Sequence, residues 1–386
     1  MTRPAWLARA VFYDFHAPDP DDANGAVAAI AAKLDYLAEL GVNAVSLGPL
    51  LIGRDGHAVD TRDAGIDALL DAAHACGIRV CVRCALPPAS RAATELRDAL
   101  RVWFDRGVDA LRIVGIDADA DDPYRIDMRR RWREMREWVD ATYRDRALIA
   151  EVGHPEIAID AGFDVDVAQA ADATGWDTLL LGADTLPAAP GEPYFDSSGR
   201  GDFGRFLAAF EFQRRRIGDG WIGLPSSVQG AGRASQQRDA DDRKVLFTFL
   251  LTWPGVPFVS SGDELGARDP GEPTDKDAPT DKEGGARRDA LWHHVERLVY
   301  LRVTESDLAA DAAIVPITDG RGYPLVYRRG ATLIVALNPG LTSHVVALPP
   351  LGDAAPVLEH HCHVSHGAAG WQLKIGSRGY AVFTVR

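Results

Sequence analysis

The chain has 386 residues, which exceeds one ordinary domain but suits a large α/β barrel of about 250 residues with a smaller companion domain. Hydrophobic residues make up 46% of the sequence and charged residues 25%, so a wholly disordered or fibrous protein is excluded. The net charge of −14 repels phosphate backbones and anionic lipid surfaces, and we therefore expect no nucleic-acid and no membrane partner.

Short apolar strands alternate with longer amphipathic segments from Val11 to about Leu308. Strands are predicted at Val11 to Phe15, Ala44 to Leu47, Val80 to Ala85, Ala110 to Val114, Leu148 to Val152, Val165 to Ala168, Trp221 to Leu224 and Pro257 to Ser260. Helices are predicted at Ala26 to Leu40, Ile66 to Cys76, Thr94 to Arg106, Met128 to Tyr143, Phe203 to Ile217, Arg243 to Trp253 and Ala290 to Arg302. This alternation favours a closed TIM (β/α)8 barrel over residues 1–308 rather than an open parallel sheet.

Beyond Leu308 the pattern changes to short β-like runs separated by Gly and Pro turns. Strands are predicted there at Leu325 to Tyr327, Thr332 to Leu337, His344 to Ala347 and Tyr380 to Val385. These runs predict a small antiparallel β domain over residues 309–386. The polar segment from Gly266 to Gly285 predicts a surface loop after the eighth strand.

The cellular compartment is predicted from two features of the sequence. The stretch from Met1 to Phe15 lacks the apolar core of a signal peptide, which favours a cytoplasmic location. Four cysteines are too few for a disulfide framework, and Cys76, Cys81 and Cys84, in or beside one apolar strand, are predicted to be buried thiols.

Metal and cofactor sites are not expected. The odd spacing of Cys81 and Cys84 points their sulfurs to opposite faces of a strand, which argues against zinc. The acidic run from Asp117 to Asp122 lacks the Gly and Glu of a calcium loop, so a solvated loop is favoured. One segment is rich in histidine, with His360, His361, His363 and His366. Metal binding is not expected there, because no matching arrangement of cysteines or carboxylates occurs elsewhere in the sequence.

Several phrases, in order and spacing, resemble glycoside hydrolase family 13, the α-amylase family. They are LDYLAELGVNAVSLGPL at Leu34 to Leu50, AHACGIRV before the third strand, GVDALRI at Gly107 to Ile113, AEVGHP at Ala150 to Pro155, PGVPFVSSGDELG at Pro254 to Gly266 and GYAVFTV at Gly379 to Val385. The resemblance implies a barrel followed by a β-sandwich-like domain. It also implies retaining cleavage of α-glucosidic bonds, which requires a carboxylate nucleophile and a carboxyl acid/base about 5 Å apart.

The family's two reacting positions carry one carboxyl group here. The resemblance places the nucleophile two residues after Arg112, where the chain has Val114, and an isopropyl group cannot attack an anomeric carbon. It places the acid/base after the alanine of the fifth strand, where Glu151 stands. A sugar-binding role is implied for Asp60 and Arg112.

The remaining sugar-binding groups of the family are missing from the matching segments. The third carboxylate would fall within IGLPSSVQGAGR at 222–233, which contains no Asp, Glu or His in any register. The third strand's Asp and Asn-His pair are replaced by a run with Arg83, Pro87 and Pro88, and Val59 stands where a stacking tyrosine is expected. The lobe that the family inserts after the third strand is absent as well. The sequence thus predicts the loss of ordinary glycosidase chemistry.

Two hypotheses remain open at this point. The first is a non-hydrolytic α-amylase-like protein that binds carbohydrate or serves as a partner subunit or structural homologue. The second is an enzyme, a glycoside hydrolase or transglycosidase acting on α-glucosides through Glu151 with a displaced carboxylate such as Asp117. The first is favoured, with an α-glucoside or oligosaccharide as ligand, and a homodimer or partner chain is expected over a shallow, apolar barrel mouth.

Two further expectations concern individual side chains. Without a nucleophile carboxylate, the buried Arg112 should pair with another acid, Glu151 first and Asp60 next. Asp263 and Glu264, after the eighth strand, are predicted to orient loops rather than react.

Overall fold

The fold is that of a computed structural model, and its two compact units are considered separately. The structure describes residues 3–16, 23–48, 65–85, 93–114, 123–169, 174–180, 194–195, 197, 203–228, 232–233, 239–267 and 282–386. The first unit comprises Met1–Thr174, Gln213–Pro225 and Gly255–Ser261. The second comprises Gly175–Phe212, Ser226–Pro254 and Gly262–Arg386. The predicted domain boundary after residue 308 stays a prediction.

In the described part of the first unit, eight parallel strands close a barrel in the order β1-β8-β7-β6-β5-β4-β3-β2. The strands are β1 (Phe12–His16), β2 (Ala44–Gly48), β3 (Arg79–Ala85), β4 (Ala110–Val114), β5 (Ala147–Ala150), β6 (Val165–Val167), β7 (Trp221–Pro225) and β8 (Val256–Ser260). The predicted barrel is confirmed, and β4 has the predicted bounds. Barrel strands are buried on both faces, so their nearly continuous apolar runs are easy to recognise.

The helices begin and end close to the predicted residues in most cases. They are α1 (Ala23–Ala31), α2 (Leu34–Leu40), α3 (Ile66–Ala75), α4 (Ala93–Asp105), α5 (Pro123–Thr142), α6 (Pro155–Asp160), α7 (Trp176–Leu180), α8 (Gly204–Arg216), α9 (Ala240–Thr252) and α10 (Lys282–Thr304). Four differences are found. The helix predicted from Ala26 to Leu40 is two helices, and α6 and α7 were not predicted. Helix α5 begins five residues before the predicted Met128, and α10 includes the end of the predicted loop from Lys282.

The α2 segment shows how the local sequence determines its structure. Leu34, Leu37 and Leu40 recur every three residues, and all three are buried. Gly41 then adopts the left-handed conformation with φ 83°, and its N–H bonds to the last turn of the helix. Glycine suits this position because it carries no Cβ that would be strained there. The helix therefore ends at a defined point just before β2.

The described part of the second unit contains an antiparallel sheet of six strands. They are β9 (Ile314–Pro316), β10 (Leu325–Arg329), β11 (Leu333–Asn338), β12 (His344–Ala347), β13 (Ala354–Gly367) and β14 (Gly370–Val385). The order is β9-β10-β11-β14-β12, with β13 also paired to β14. The predicted C-terminal β domain is confirmed. Strands β9 and β13 were not predicted, and β14 begins ten residues before the predicted Tyr380.

In the second unit, helix α9 is buried on nearly all sides. Side chains of the neighbouring helix α10 donate hydrogen bonds to backbone carbonyls in or just after α9. Arg302 donates a hydrogen bond of 2.8 Å to the Trp253 carbonyl. His294, 5% exposed, lies 2.9 Å from the Lys244 carbonyl through Nε2, so this nitrogen carries the hydrogen. A carbonyl only accepts, and burial lowers the pKa of His294 to about 3, so the imidazole is neutral in the folded protein.

Candidate functional site

Four charged side chains meet inside the barrel, and we call them the mouth cluster: Asp14, Arg83, Arg112 and Glu151. Arg83 on β3 and Arg112 on β4 are direct Cα partners in the parallel ladder, so both side chains lie on one face of the sheet. Glu151 follows β5, and its N–H donates to the Ile113 carbonyl at 3.1 Å. The barrel strands therefore bring together residues that are far apart in the sequence.

Both carboxylate oxygens of Glu151 accept hydrogen bonds from one guanidinium. Arg83 donates from Nε to Oε1 at 2.6 Å and from Nη2 to Oε2 at 2.7 Å, the fork geometry typical of tight arginine–carboxylate pairs. Arg112 Nε also lies 2.5 Å from Oε1, as an ion pair without the alignment of a hydrogen bond. The predicted Arg112–Glu151 contact is present, but Arg83 is the stronger partner, and the sequence did not identify it.

The stem of Arg83 occupies space that a glycine leaves open. A Cβ placed on Gly48, at the end of β2, would lie 2.5 Å from Arg83 Cβ and 2.7 Å from its Cδ. Real side chains do not approach that closely, so the absence of a side chain at Gly48 admits the arginine. The position of Arg83 thus depends on the neighbouring strand as well as on Glu151.

Arg112 is the most buried member of the mouth cluster and bridges two acids. It donates from Nη1 to Asp14 Oδ2 at 2.9 Å, and its guanidinium lies 4.9 Å from the centre of the Phe258 ring. Burial lowers the pKa of Arg112, but the Asp14 and Glu151 carboxylates together raise it by more than burial lowers it. The net shift of this pKa is therefore upward. Asp14 was not identified from the sequence. The pattern that could have indicated it is a single acidic residue within the apolar run of β1.

The cysteines near the cluster are inert thiols. Burial raises the pKa of Cys81 despite the opposing charge of Arg112, and burial raises the pKa of Cys84 to about 12. A thiol that stays protonated at neutral pH is a poor nucleophile and a poor metal ligand. The prediction of buried thiols was wrong for Cys76, which is exposed just after the end of α3.

The position at which the sequence resemblance predicts a nucleophile holds a half-buried valine. Val114 is the last residue of β4 and is the ladder partner of Ala85. Residues 86–92 separate β3 from α4, and the expected absence of a lobe there stays a prediction. The other predicted mouth residues, Val59, Asp60, Pro87, Pro88 and the run from Asp117 to Asp122, lie outside the described residues.

The described part of the mouth is charged, whereas an apolar surface was expected. Two arginines and two acids line the interior around β1, β3, β4 and β5, and three of these four side chains are at most 8% exposed. The expectation of an apolar mouth rested on Val59, Val114, Pro87 and Pro88. It did not consider that Asp14 and Arg83 would point inward beside Arg112.

In the second unit, Asp263 and Glu264 follow β8 and are fully buried. Asp263 Oδ2 accepts hydrogen bonds from the Ser226 and Ser227 hydroxyls at 2.6 and 2.8 Å, and Glu264 Oε2 accepts from the Gly262 N–H at 2.9 Å. These contacts tie together the segments that follow β7 and β8. The geometry agrees with the predicted loop-orienting role of both acids.

Among the described residues, no three or more His, Cys, Asp or Glu side chains are arranged to hold a metal ion. In the same part of the chain, no helix is both long and apolar enough to cross a membrane.

No known family profile matches the sequence, and no curated protein matches it. Solved structures do match. An α-amylase from Geobacillus thermoleovorans, complexed with acarbose, is 16% identical at a TM-score of 0.71, with 98% of this chain and 99% of that chain covered. A debranching enzyme from Nostoc punctiforme is 17% identical at a TM-score of 0.71, with 99% of each chain covered.

A third similar structure is a mutant isomaltulose synthase from Erwinia rhapontici in complex with D-glucose. It is 14% identical at a TM-score of 0.69, and the match covers 100% of both chains. At such identities the likeness concerns the fold. The chain therefore has the fold of the α-amylase-family enzymes, a closed parallel barrel followed by a C-terminal β domain.

Proposed function

We propose that the protein is a non-hydrolytic member of the α-amylase fold group that takes part in carbohydrate metabolism by binding a sugar. The observation that carries this proposal is the pairing of both Glu151 oxygens with Arg83. The proteins with the same fold, described above, include complexes with acarbose and with D-glucose, which supports a carbohydrate ligand.

A general acid must donate a proton to the leaving group, whereas Glu151 accepts hydrogen bonds on both of its oxygens. Its two oxygens act as acceptors toward Arg83, and Arg112 lies against one of them. Its side chain is 6% exposed, so a substrate oxygen would have to displace an arginine to reach it. This arrangement favours a structural or ligand-orienting carboxylate over an acid catalyst.

The retaining mechanism also requires a second carboxyl group that is free to act as the nucleophile, and the described residues of the mouth cluster do not supply one. Val114 offers no nucleophile, and Asp14, the other carboxylate of the mouth cluster, is 8% exposed and hydrogen-bonded to Arg112. A double displacement needs a free carboxylate facing the anomeric carbon. Neither described carboxylate of the cluster meets that requirement. Because the mouth still has charged groups able to bind hydroxyls, binding without turnover is the function we propose.

A covering partner remains part of the proposal. A homodimer or a partner chain over the barrel mouth would bury the exposed portion of Arg83 and complete a ligand site there. Size-exclusion chromatography with light scattering, with and without sugar, tests this part of the proposal separately from the chemistry.

The function is tested by measuring hydrolysis and binding on the same protein. Purified protein is incubated with starch and with an aryl α-glucoside, beside the Glu151→Gln variant and a buffer blank, and acarbose and maltose binding is measured by calorimetry. We expect no release of sugar above the blank and measurable binding. Turnover that Glu151→Gln abolishes would overturn the proposal and establish the alternative, an α-glycosidase or transglycosidase that uses Glu151 with a displaced second carboxylate.

A further inference from the structure

The charges of the mouth cluster alternate along a chain of contacts. Asp14 contacts Arg112, Arg112 contacts Glu151, and Glu151 contacts Arg83. The first three side chains are 8%, 5% and 6% exposed, whereas Arg83 is 20% exposed. The chain of ion pairs therefore begins with a buried carboxylate and ends, on the solvent side, with a guanidinium.

Arg83 uses one edge of its guanidinium and leaves the other available. Nε and Nη2 bind Glu151, while Nη1 makes no hydrogen bond to the described residues and is not sealed from solvent. A guanidinium has five N–H donors, and the edge formed by Nη1 and the second hydrogen of Nη2 matches the two oxygens of a carboxylate. The two hydrogen bonds to Glu151 hold the guanidinium, and the stem fills the space beside Gly48, so little conformational entropy is lost when a ligand binds.

We infer that the mouth cluster binds the carboxylate of a hydroxyl-rich ligand, such as a sugar acid, on the outer edge of Arg83. This inference rests on the proposed function, because the sugar portion of the ligand follows from it. The part that is new is the charge of the ligand: a neutral glucan does not use the free edge of a fixed guanidinium as fully as a carboxylate does.

The cluster also limits the ligand to one negative charge. Two arginines and two acids give the cluster no net charge, so a bound carboxylate leaves a single negative charge beside Glu151. A phosphate dianion would add a second negative charge close to the Glu151 carboxylate, and that repulsion lowers its affinity. The structure thus favours a carboxylate over a phosphate ester.

The test compares glucuronate, glucose and glucose 1-phosphate by calorimetry at constant ionic strength. We expect the protein to bind glucuronate about tenfold more tightly than glucose, as one charge-assisted pair supplies. Glucose 1-phosphate should bind more weakly than glucuronate. Equal affinity for glucuronate and glucose, or tighter binding of glucose 1-phosphate, overturns the inference whether or not any variant folds.

Two variants locate the site. Arg83→Gln should remove the preference for glucuronate, and Arg83→Lys, which keeps the charge but not the planar fork, should remove most of it. The matched control is Arg101→Gln, because Arg101 is an exposed arginine on α4 that pairs with Asp98 on its own helix and lies over the Trp138 ring, outside the mouth cluster. A glucuronate preference that survives in a folded Arg83→Gln protein contradicts the assignment. Absence of hydrolysis is measured separately, so failure of this inference is distinct from failure of the proposed function.

Discussion

Asp14 on β1 and Arg112 on β4 form an ion pair of 2.9 Å between strands that are not neighbours in the barrel. Two strands, β2 and β3, lie between them in the sheet, so the pair links the first and fourth strands through the interior. Both side chains are less than a tenth exposed. Buried charges are tolerated when they are paired, but each becomes costly when its partner is removed.

We predict that Arg112→Met lowers the free energy of unfolding by about 3 kcal/mol, because it removes the guanidinium that donates to the buried Asp14 carboxylate at 2.9 Å. Glu151 is affected less, since Arg83 still holds both of its oxygens. A urea titration followed by circular dichroism measures the change. The double variant Asp14→Leu/Arg112→Met should be more stable than the single variant, and a double variant that is equally unstable or less stable contradicts this account of the pair.

Gly48→Ala tests the close approach of β2 to Arg83. The new Cβ would meet the Cβ and Cδ of Arg83 at less than 3 Å, and relief requires a shift of the arginine stem. We expect a loss of about 1–3 kcal/mol of stability, as for other overpacked positions. Gly367→Ala is the matched control, since a Cβ there meets nothing within 4 Å. Similar unfolding midpoints for both variants would mean that β2 is free to move away from Arg83.

Val114→Asp restores a carboxylate at the end of β4 but should not restore hydrolysis. Glu151 remains bound to Arg83, and no acid is present in residues 222–233 to act as the third carboxylate. Release of reducing sugar from starch should therefore equal that of the parent protein. Covalent catalysis contributes many orders of magnitude to glycosidase rates, so even partial rescue is easy to detect. Detectable turnover would show that Arg83 leaves Glu151 when substrate binds.

His294 should make the fold sensitive to acid. Its pKa is lowered to about 3 by burial, with smaller effects from the charges of Lys244 and Arg297, whereas an unfolded histidine titrates near 6.5. Below pH 6.5 the unfolded chain binds a proton that the folded chain does not, so stability falls as the pH falls. This group contributes about 1.4 kcal/mol per pH unit between pH 6.5 and 3.

The measurement for His294 is the free energy of unfolding at pH 6.5 and pH 5. We expect His294→Phe to lose about 2 kcal/mol less than the parent over this interval, because it removes the titrating group. His293→Phe is the comparison variant: it removes the neighbouring imidazole, which is 66% exposed, and keeps His294. If both variants follow the parent curve, His294 does not govern the acid transition.

Most of the barrel could be predicted because burial on both faces requires uninterrupted apolar strands. Ala110 to Val114 shows this most clearly, since an apolar run interrupted only by Arg112 was assigned its observed bounds. Strand β13 was missed because alternate positions carry polar and histidine side chains that are exposed in the sheet. The break between α1 and α2 was missed because the alanine-rich segment continues a helical pattern across it.

The site was predicted less completely because its contacts depend on barrel closure. Arg83 and Glu151 are 68 residues apart, and Arg112 and Asp14 are 98 apart. The sequence indicated that Arg112 needs an acid and that Arg83 stands among the altered groups of the third strand. It named Glu151 as the first partner of Arg112 but did not indicate that Arg112 also reaches Asp14 or that Arg83 holds Glu151, since these contacts depend on how far each strand is staggered against the next.

The last strand of the C-terminal sheet, β14, also determines when that sheet can form. In the described part of the chain, β12 and β13 pair with β14 alone, and β11 pairs with β10 and β14. During synthesis on the ribosome β11, β12 and β13 emerge before β14. Their pairing with β14 can form only after Gly370–Val385 has been made. Until then the apolar edge of β11 is open to pairing with other nascent chains. A delay in synthesis before β14 is complete should therefore prolong the exposure of this edge and favour aggregation.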